Sequence, residues 1–416
     1  MQSNSTQEYH SVKTLRVVQI NTCLYGSTGK IVRQIADTAR DRGIEVWTAT
    51  PYDKRNLVSR SKWDITIGNA WSLYSHLLFS RVTGITGVGS VRATIKFIKK
   101  LKKINPDIIH IHNLHNSYIN IPILFRYIKK NDIKTVLTLH DCWTFTGRCP
   151  YFDILRCERW KNGCGQCPYP QQDYPISFVD QTRLMFRLKQ KWFLNLGEVY
   201  IITPSRWLAQ LVAESHLRNN SVKVIPNGID LNVFKPTKGN FKDRFHISDE
   251  KNILLGVAFD WGKRKGLDVF ISLAEKLDSE KFQIVLVGTD DTIDKVLPSN
   301  IISIHRTQSQ NELAEIYTAA DLFVNPTRED NYPTVNMESL ACGTPVLTFN
   351  TGGSTESIDV QINGSVVECD NFDALEREII RICENKPFSS EHCINHAKQF
   401  DMNLCFSNYT EFYMDL

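Results

Sequence analysis

Short runs of β-branched and aliphatic residues alternate along the chain with stretches whose apolar positions recur every three to four residues. Leu15 to Ile20 (Leu-Arg-Val-Val-Gln-Ile) reads as a buried strand. A glycine-bearing loop follows, Tyr25-Gly26-Ser27-Thr28-Gly29-Lys30. Val32, Ile35, Ala36 and Ala39 then lie on one helix face. The pattern predicts further strands at Val46–Thr50, Ile108–His112, Thr135–Leu139, Val199–Thr203 and Val222–Ile225. The second half repeats the alternation, with strands predicted at Ile253–Ala258, Phe282–Val287, Leu322–Asn325 and Val346–Phe349. Helices are expected between them, carried by Leu267, Phe270, Ile271 and Ala274 and by Leu313, Ile316, Tyr317 and Ala320. Strands alternating with amphipathic helices imply parallel sheets covered on both faces. The fold class expected is therefore α/β, with two doubly wound, Rossmann-like domains facing a central cleft.

The joint is expected near Pro226-Asn227-Gly228-Ile229-Asp230, whose Pro and Asn-Gly elements form turns. This divides the chain into 1–230, 231–400 and a closing helix at 401–416. Leu404, Tyr409 and Phe412 are available there to pack back on the first domain. The polar stretch from Asn232 to Glu250 carries no strong period, and no repeat or low-complexity tract is present.

The 416 residues are 42% hydrophobic and 23% charged, ordinary globular values that exclude a disordered or fibrous chain. No apolar run approaches the ~18–20 residues of a membrane-spanning helix. The start, Met1 to Thr6, is polar and leads into no apolar run, so no secretory leader is expected. With eleven cysteines, an odd number, this points to a reducing cytoplasm.

The net charge of +4 conceals an asymmetry. Up to Arg206 there are 30 Lys and Arg against 14 Asp and Glu, and beyond it 19 against 31. Such a split suggests two domains with different neighbours, the basic one facing an anionic surface. The densest basic stretch, Lys96 to Lys103, follows an aromatic-aliphatic segment containing Trp71, Leu73, Tyr74, Leu77, Leu78 and Phe79. Two readings stand: a peripheral contact with the inner face of the cytoplasmic membrane, or a solvated helix with a buried stem. No recognised nucleic-acid motif accompanies the charge, and nucleic acid is not expected as a partner.

The most informative stretch runs from Asn325 to Pro345. A predicted strand ends at Asn325, an acidic loop (Arg328-Glu329-Asp330-Asn331-Tyr332) follows, and Pro333 opens a helix that Gly343 and Pro345 close. The helix N-terminus offers unpaired amides, beginning at Thr334, to a phosphate. Glu338, about one turn inside, reaches hydroxyls placed beside that phosphate. Thr351-Gly352-Gly353-Ser354-Thr355-Glu356 is a second glycine loop allowing close approach.

These motifs, with His140-Asp141, Pro226–Asp230 and Arg264-Lys265-Gly266, resemble the retaining glycosyltransferases of family four. Their fold is GT-B, and the nearest resemblance is to bacterial exopolysaccharide members of the colanic-acid type. The resemblance covers nearly the whole chain, six motifs in the family's order. It implies transfer of a hexose-type unit from a nucleotide diphosphate sugar to a glycan hydroxyl, with retention. The charge split, for its part, assigns the donor to the acidic half and the acceptor, a glycan linked to polyprenyl diphosphate at the membrane face, to the basic half. No divalent metal is expected to be required for transfer, since Arg264, Lys265 and the helix dipole supply the positive charge. The family's signature is two acids separated by seven residues. Here Asp330 and Glu338 keep that spacing, while Glu329 and Glu338 carry one extra residue. The first role goes to Asp330, with Glu329 as the alternative. The resemblance gives Glu338 the ribose, and gives the first acid and the amides of Asn331 and Tyr332 the transferred sugar. It places His140 against the donor sugar and the Gly26–Gly29 loop near the donor phosphates and the acceptor.

Arg264 and Lys265, at a strand–helix junction, can neutralise a pyrophosphate leaving group. The family has a further Arg about five residues before the Lys, where this chain has Asp260. Two other readings stay open, a nucleotide-sugar epimerase of the same shape and an inactive zinc-containing binding protein on the same scaffold. The zinc reading comes from Cys149-x7-Cys157-x6-Cys164-x2-Cys167, four thiols in a turn-rich loop that includes Gly147, Gly163, Gly165, Pro168 and Pro170. That spacing suggests a closed tetrahedral structural site, with disulfides or plain packing as alternatives.

Overall fold

The structure, a computed structural model, describes residues 14–57, 61–168 and 176–416; the polar start Met1 to Thr6 and Pro170 lie outside them. Two wholly parallel sheets form the frame. The first holds β1 (Arg16–Ile20), β2 (Glu45–Pro51), β3 (Asp64–Ile67), β4 (Ile108–Ile111), β5 (Lys134–Thr138), β6 (Val199–Thr203) and β7 (Ser221–Val224), in the order β3-β2-β1-β4-β5-β6-β7. The second holds β8 (Asn252–Val257), β9 (Phe282–Val287), β10 (Ile301–Ile304), β11 (Leu322–Asn325), β12 (Val346–Phe349) and β13 (Gly364–Val367), in the order β10-β9-β8-β11-β12-β13. Both orders reverse beside their first strand, at β1/β4 and at β8/β11. Such switch points open a crevice at the carboxyl ends of the strands. Together they make the GT-B architecture.

The sequence pattern locates the inner strands to within a residue or two at each end. It misses β3, β10 and β13, and all three are sheet edges of four residues. An edge strand needs only one apolar side and offers no continuous apolar run to read.

Helix Gly26–Asp41 buries Ile31, Val32, Ile35, Ala36 and Ala39, the face its spacing marks. It packs against the last helix, Met402–Asp415, in a shared cluster with Val17, Phe406, Tyr409 and Tyr413. The packing face of that last helix is Cys405, Phe406, Tyr409 and Tyr413, whereas Leu404 is exposed. The chain therefore crosses between the sheets twice, side by side: the Ile229 amide donates to Phe400 O at 2.8 Å, and the Met402 amide to Ile229 O at 2.9 Å.

Candidate active site

Each of the two switch points sends its loops toward the other lobe. Behind β8, Lys263–Lys265 form one 3-10 turn ahead of helix Leu267–Lys276. Behind β11 comes the acidic loop, then helix Thr334–Ala341 with Pro333 as its N-cap. Their strands are hydrogen-bonded neighbours, so the two loops must meet. Lys265 Nζ lies 2.5 Å from Asp330 Oδ2, both side chains largely shielded from water. Arg264 donates to Glu329 O at 3.1 Å and lies over the Tyr151 ring, 5.9 Å from its centroid. The basic turn and the acidic loop are thus one surface.

Helix Thr334–Ala341 has no side-chain cap and no acid in its first turn, so its leading amides and partial positive charge are open to an anion. Glu338 is half-buried one turn in and accepts from Tyr317 Oη at 3.3 Å. Burial raises its carboxyl above the usual range. Lys30 of the opposite lobe and the Tyr317 and Thr334 hydroxyls pull it back.

Glu329 turns the other way. Its Oε1 accepts from the Ile154 amide of the cysteine loop at 2.9 Å, a contact between lobes. Asn331 crosses the same gap, donating from Nδ2 to His140 O at 3.0 Å and accepting from Ser205 Oγ at 2.5 Å. Its backbone amide, expected to face a sugar, instead donates to Asp330 Oδ1 at 2.9 Å. Tyr332 is buried, and its carbonyl accepts from Asn227 Nδ2 at 3.4 Å.

Two expectations about glycines change. Gly26 to Lys30 are the first turn of helix Gly26–Asp41 and not a free loop, and Gly29 is buried there. Its backbone amides remain uncapped by any side chain. Gly352 and Gly353 lie against the acidic loop itself: a Cβ would meet Asp330 O and Asn331 O at 1.9 Å in each case. Their lack of a side chain serves the seating of the acids, and Gly352 also needs its positive φ of 52°.

His140 follows β5, as His112 follows β4, and the neighbouring strand ends bring His112 Nδ1 to 3.0 Å from His140 Nε2. Burial holds His140 neutral, its pKa lowered to about 4 against the pull of Asp141. His115, Asp141, Trp143 and Thr144 complete the hollow that these two histidines line. His115 Nε2 lies 3.3 Å from Asp141 Oδ2.

The spacing signals leave out several residues. Arg328 is buried, grips Asp268 with two bonds of 2.8 Å and Asp370 with one of 2.6 Å, and donates to the carbonyl of Lys263, fixing the basic turn. Glu356 accepts from the amides of Arg206 and Trp207 at 2.9 and 2.7 Å, so one lobe caps a helix of the other. His112 had a readable signal, a histidine ending a predicted strand; Arg328 and Glu356 had none, because their partners are remote in sequence.

All eleven cysteines are free thiols. Cys149, Cys157, Cys164 and Cys167 share one loop, but no three of their sulfurs lie within 4.8 Å of one another. Among the described residues the single convergent group of three metal-binding side chains is the exposed Asp291, Asp294 and His305.

Residues 28–233 match the family model described as Glycosyltransferase Family 4, and residues 238–400 the model described as Glycosyl transferases group 1. The putative colanic acid biosynthesis glycosyl transferase WcaC of Escherichia coli K12 is 27% identical over 266 residues. That match takes in 60% of this chain and 62% of the relative's length. A Campylobacter jejuni protein named N,N'-diacetylbacillosaminyl-diphospho-undecaprenol alpha-1,3-N-acetylgalactosaminyltransferase is 25% identical, covering 49% of this chain and 57% of its own. Among solved structures, sucrose-phosphate synthase from Thermosynechococcus elongatus superposes with a TM-score of 0.72 at 16% identity, over 96% of this chain and 98% of that one. HepE of Anabaena in complex with UDP-glucose gives 0.69 at 16% identity, over 97% and 100%.

Proposed function

Because the chain belongs to glycosyltransferase family 4 and has the GT-B fold, we propose that it moves a hexose-type sugar from a nucleotide diphosphate sugar to a glycan hydroxyl in surface polysaccharide synthesis. The observation that carries this reading is the meeting of Arg264 and Lys265 with the Glu329-Asp330 loop, which leads into the uncapped helix at Thr334 and is bonded through Asn331 to the His140 carbonyl. Two cations and a helix dipole converge where a departing diphosphate gains charge, and stabilising that charge is the largest task in such a transfer. Glu338 takes the ribose hydroxyls, and Asp330, which keeps the spacing of seven, takes the first acidic role. His140, neutral at physiological pH, serves as a hydrogen-bond partner for the donor sugar.

Transfer proceeds with retention by displacement on one face. The bond from the anomeric carbon to the diphosphate oxygen breaks, and the bond to the acceptor oxygen forms on the same side. The acceptor proton passes to the departing phosphate oxygen. The protein's part is orientation and charge stabilisation. A diphosphate sugar donor agrees with the UDP-glucose bound by HepE. A polyprenyl-diphosphate-linked acceptor agrees with the name of the Campylobacter relative.

Such an acceptor lies in a bilayer, and the basic lobe presents a surface suited to one. Helix Ala70–Thr83 exposes Trp71, Tyr74, Leu78 and Phe79, Trp71 to 84%. Between Asp64 and Asp107 the sequence has seven Lys and Arg and no Asp or Glu. Apolar side chains flanked by cations of one sign favour an anionic membrane face. Among the described residues no helix is long and apolar enough to cross a membrane, so the contact proposed is peripheral.

A thermal-shift panel of nucleotide diphosphates and their sugars tests the donor reading, since a ligand stabilises by RT ln(1+[L]/Kd). One donor should stand out and lose its effect in Glu338→Ala. Equal shifts in both proteins would remove Glu338 from the ribose, and an inverted anomer in the product's NMR spectrum would refute retention. Flotation with anionic vesicles tests the surface: binding at low salt should vanish in Trp71→Ser/Leu78→Ser.

A further inference from the structure

His112 and His140 both line the hollow at the carboxyl ends of β4 and β5, and the transfer proposed above uses only His140. His112 stands one residue beyond β4, and its amide still donates to Ile20 O at 2.9 Å, so its backbone stays in the sheet. Side chains two apart on a strand share a face, which sets the His112 ring against that of His110, centroids 4.0 Å apart. His140 stands two residues beyond β5, the neighbouring strand. Its Nε2 lies 3.0 Å from His112 Nδ1, with the ring centroids 5.3 Å apart and the planes 21° from parallel. The two separations differ by two ring radii, so both nitrogens lie on the line between the ring centres. The contact is an in-plane hydrogen bond from ring to ring.

Such a bond holds one proton, and the surroundings decide which ring supplies it. Burial keeps both rings neutral at physiological pH, His140 with its pKa lowered to about 4 and His112 well below the ordinary value. A neutral imidazole has one N–H and one bare nitrogen. His112 is 3% exposed, and its Nε2 is buried with no hydrogen-bond partner among the described residues. The adjacent His110 does not serve it, because both nitrogens of that ring are taken, by Tyr413 Oη and Thr138 Oγ1. His115 and Asp141, the other titratable groups of the hollow, lie 3.3 Å from each other. Were His140 the donor, the proton of His112 would sit on Nε2 as a buried N–H without an acceptor, the orphan that folded proteins tolerate least. With His112 donating from Nδ1, its Nε2 is left as a bare lone pair, the less costly state. His140 Nε2 is then the acceptor, and the proton of His140 belongs on Nδ1.

We propose that His112 is a positioning residue for transfer: it fixes the His140 ring in the Nδ1–H tautomer, so that His140 offers the donor sugar a hydrogen-bond donor and not an acceptor. The inference rests on the reading of His140 as the partner of the donor sugar. Nδ1 is the one ring nitrogen of His140 not engaged by His112, so it is the atom left for a sugar oxygen. Asn331 holds the His140 carbonyl and His112 holds its ring, which fixes the residue at backbone and side chain together. A neutral N–H also suits the chemistry. An imidazolium would add positive charge beside an anomeric carbon that becomes cationic as its bond to the diphosphate breaks. His112 itself touches no substrate in this assignment and acts through the ring it orients.

The test is nitrogen-15 NMR of the full chain carrying labelled histidine in a deuterated background, the rings assigned by correlation to their own backbone amides. At pH 7.5 and without any donor, His140 should show a protonated Nδ1 and a bare Nε2. A protonated Nε2 on His140 would overturn the proposal. Kinetics and calorimetry form the second arm, using the nucleotide sugar selected by the thermal-shift panel and its own nucleoside diphosphate. His112→Leu should lower kcat/KM and the affinity for the nucleotide sugar about tenfold, while affinity for the nucleoside diphosphate, which lacks the sugar, stays within about twofold. His112→Asn, whose carboxamide can present an N–H where Nδ1 stands, should recover most of the loss. Unchanged kcat/KM in His112→Leu, or an equal loss of affinity for both nucleotides, would also overturn the proposal. Should the variants fail to fold, the tautomer of His140 in the unaltered protein decides alone. A protonated Nε2 beside normal donor binding would remove this inference and leave the transferase reading standing, whereas a panel in which no nucleotide sugar binds would remove both.

Discussion

Asn331 and His140, 191 positions apart, are joined by a 3.0 Å hydrogen bond from the Asn331 carboxamide to the His140 carbonyl. The same carboxamide accepts from Ser205, so one side chain of the acidic lobe grips two strand ends of the basic lobe. Asn331→Ala breaks both bonds, and a buried polar group left unpaired costs about 1–3 kcal/mol. We expect a loss of about 2 kcal/mol in urea unfolding and a larger radius of gyration in solution scattering. An unchanged radius would mean that other contacts hold the lobes together.

Lys265 and Asp330 form the shielded ion pair at the centre of the proposed donor site. If Lys265 stabilises a leaving diphosphate, Lys265→Met should lower kcat/KM about a hundredfold, roughly 2.7 kcal/mol of transition-state stabilisation. Were Lys265 merely the neutraliser of Asp330, Lys265→Met would leave the affinity for a nucleoside diphosphate unchanged. Calorimetric titration of the variant with nucleoside diphosphates should instead show weakened binding beside the lowered kcat/KM.

Acid should destabilise the fold through its histidines. Burial lowers the pKa of His76, His140 and His216 to about 4 and that of His110 and His112 well below the usual value. The unfolded chain therefore binds more protons between about pH 6.5 and 4, and stability falls as pH drops through that window. Each such group contributes a slope of up to about 1.4 kcal/mol per pH unit. Urea midpoints measured from pH 7.5 to 4.5 should decline steadily, and His76→Gln should flatten the decline.

Asp153 works in the opposite sense. Burial, reinforced by the neighbouring Glu329, raises its pKa to about 6. A carboxyl raised in the folded state favours folding while protonated, below the unfolded value near 4. That favour is lost as pH rises through 6. Asp153→Asn should then raise Tm by a few degrees at pH 7.5 and leave it unchanged near pH 4, as calorimetry at the two pH values would show.

The chain's own periodicity determined that there are two parallel α/β units, where most of their strands lie and which loops follow those strands. These are local facts: a strand buried on both faces is mostly apolar along its length, and a covering helix repeats its apolar positions every three to four residues. The same local rule fails at β3, β10 and β13, where only one side of a short strand is covered. It fails again at Leu404, because the face that the last helix presents is chosen by helix Gly26–Asp41, far away in sequence.

The chemistry divides in the same way. The positions of Arg264, Lys265, Asp330 and Glu338 behind strand ends were legible. That Asp330 meets Lys265 while Glu329 turns to Ile154 was not. Nor was the grip of Arg328 on Asp268, or the capping of one lobe's helix by Glu356 of the other. Those pairings depend on which strands become neighbours at the switch points, and strand order is a property of the packed sheet that no window of sequence contains.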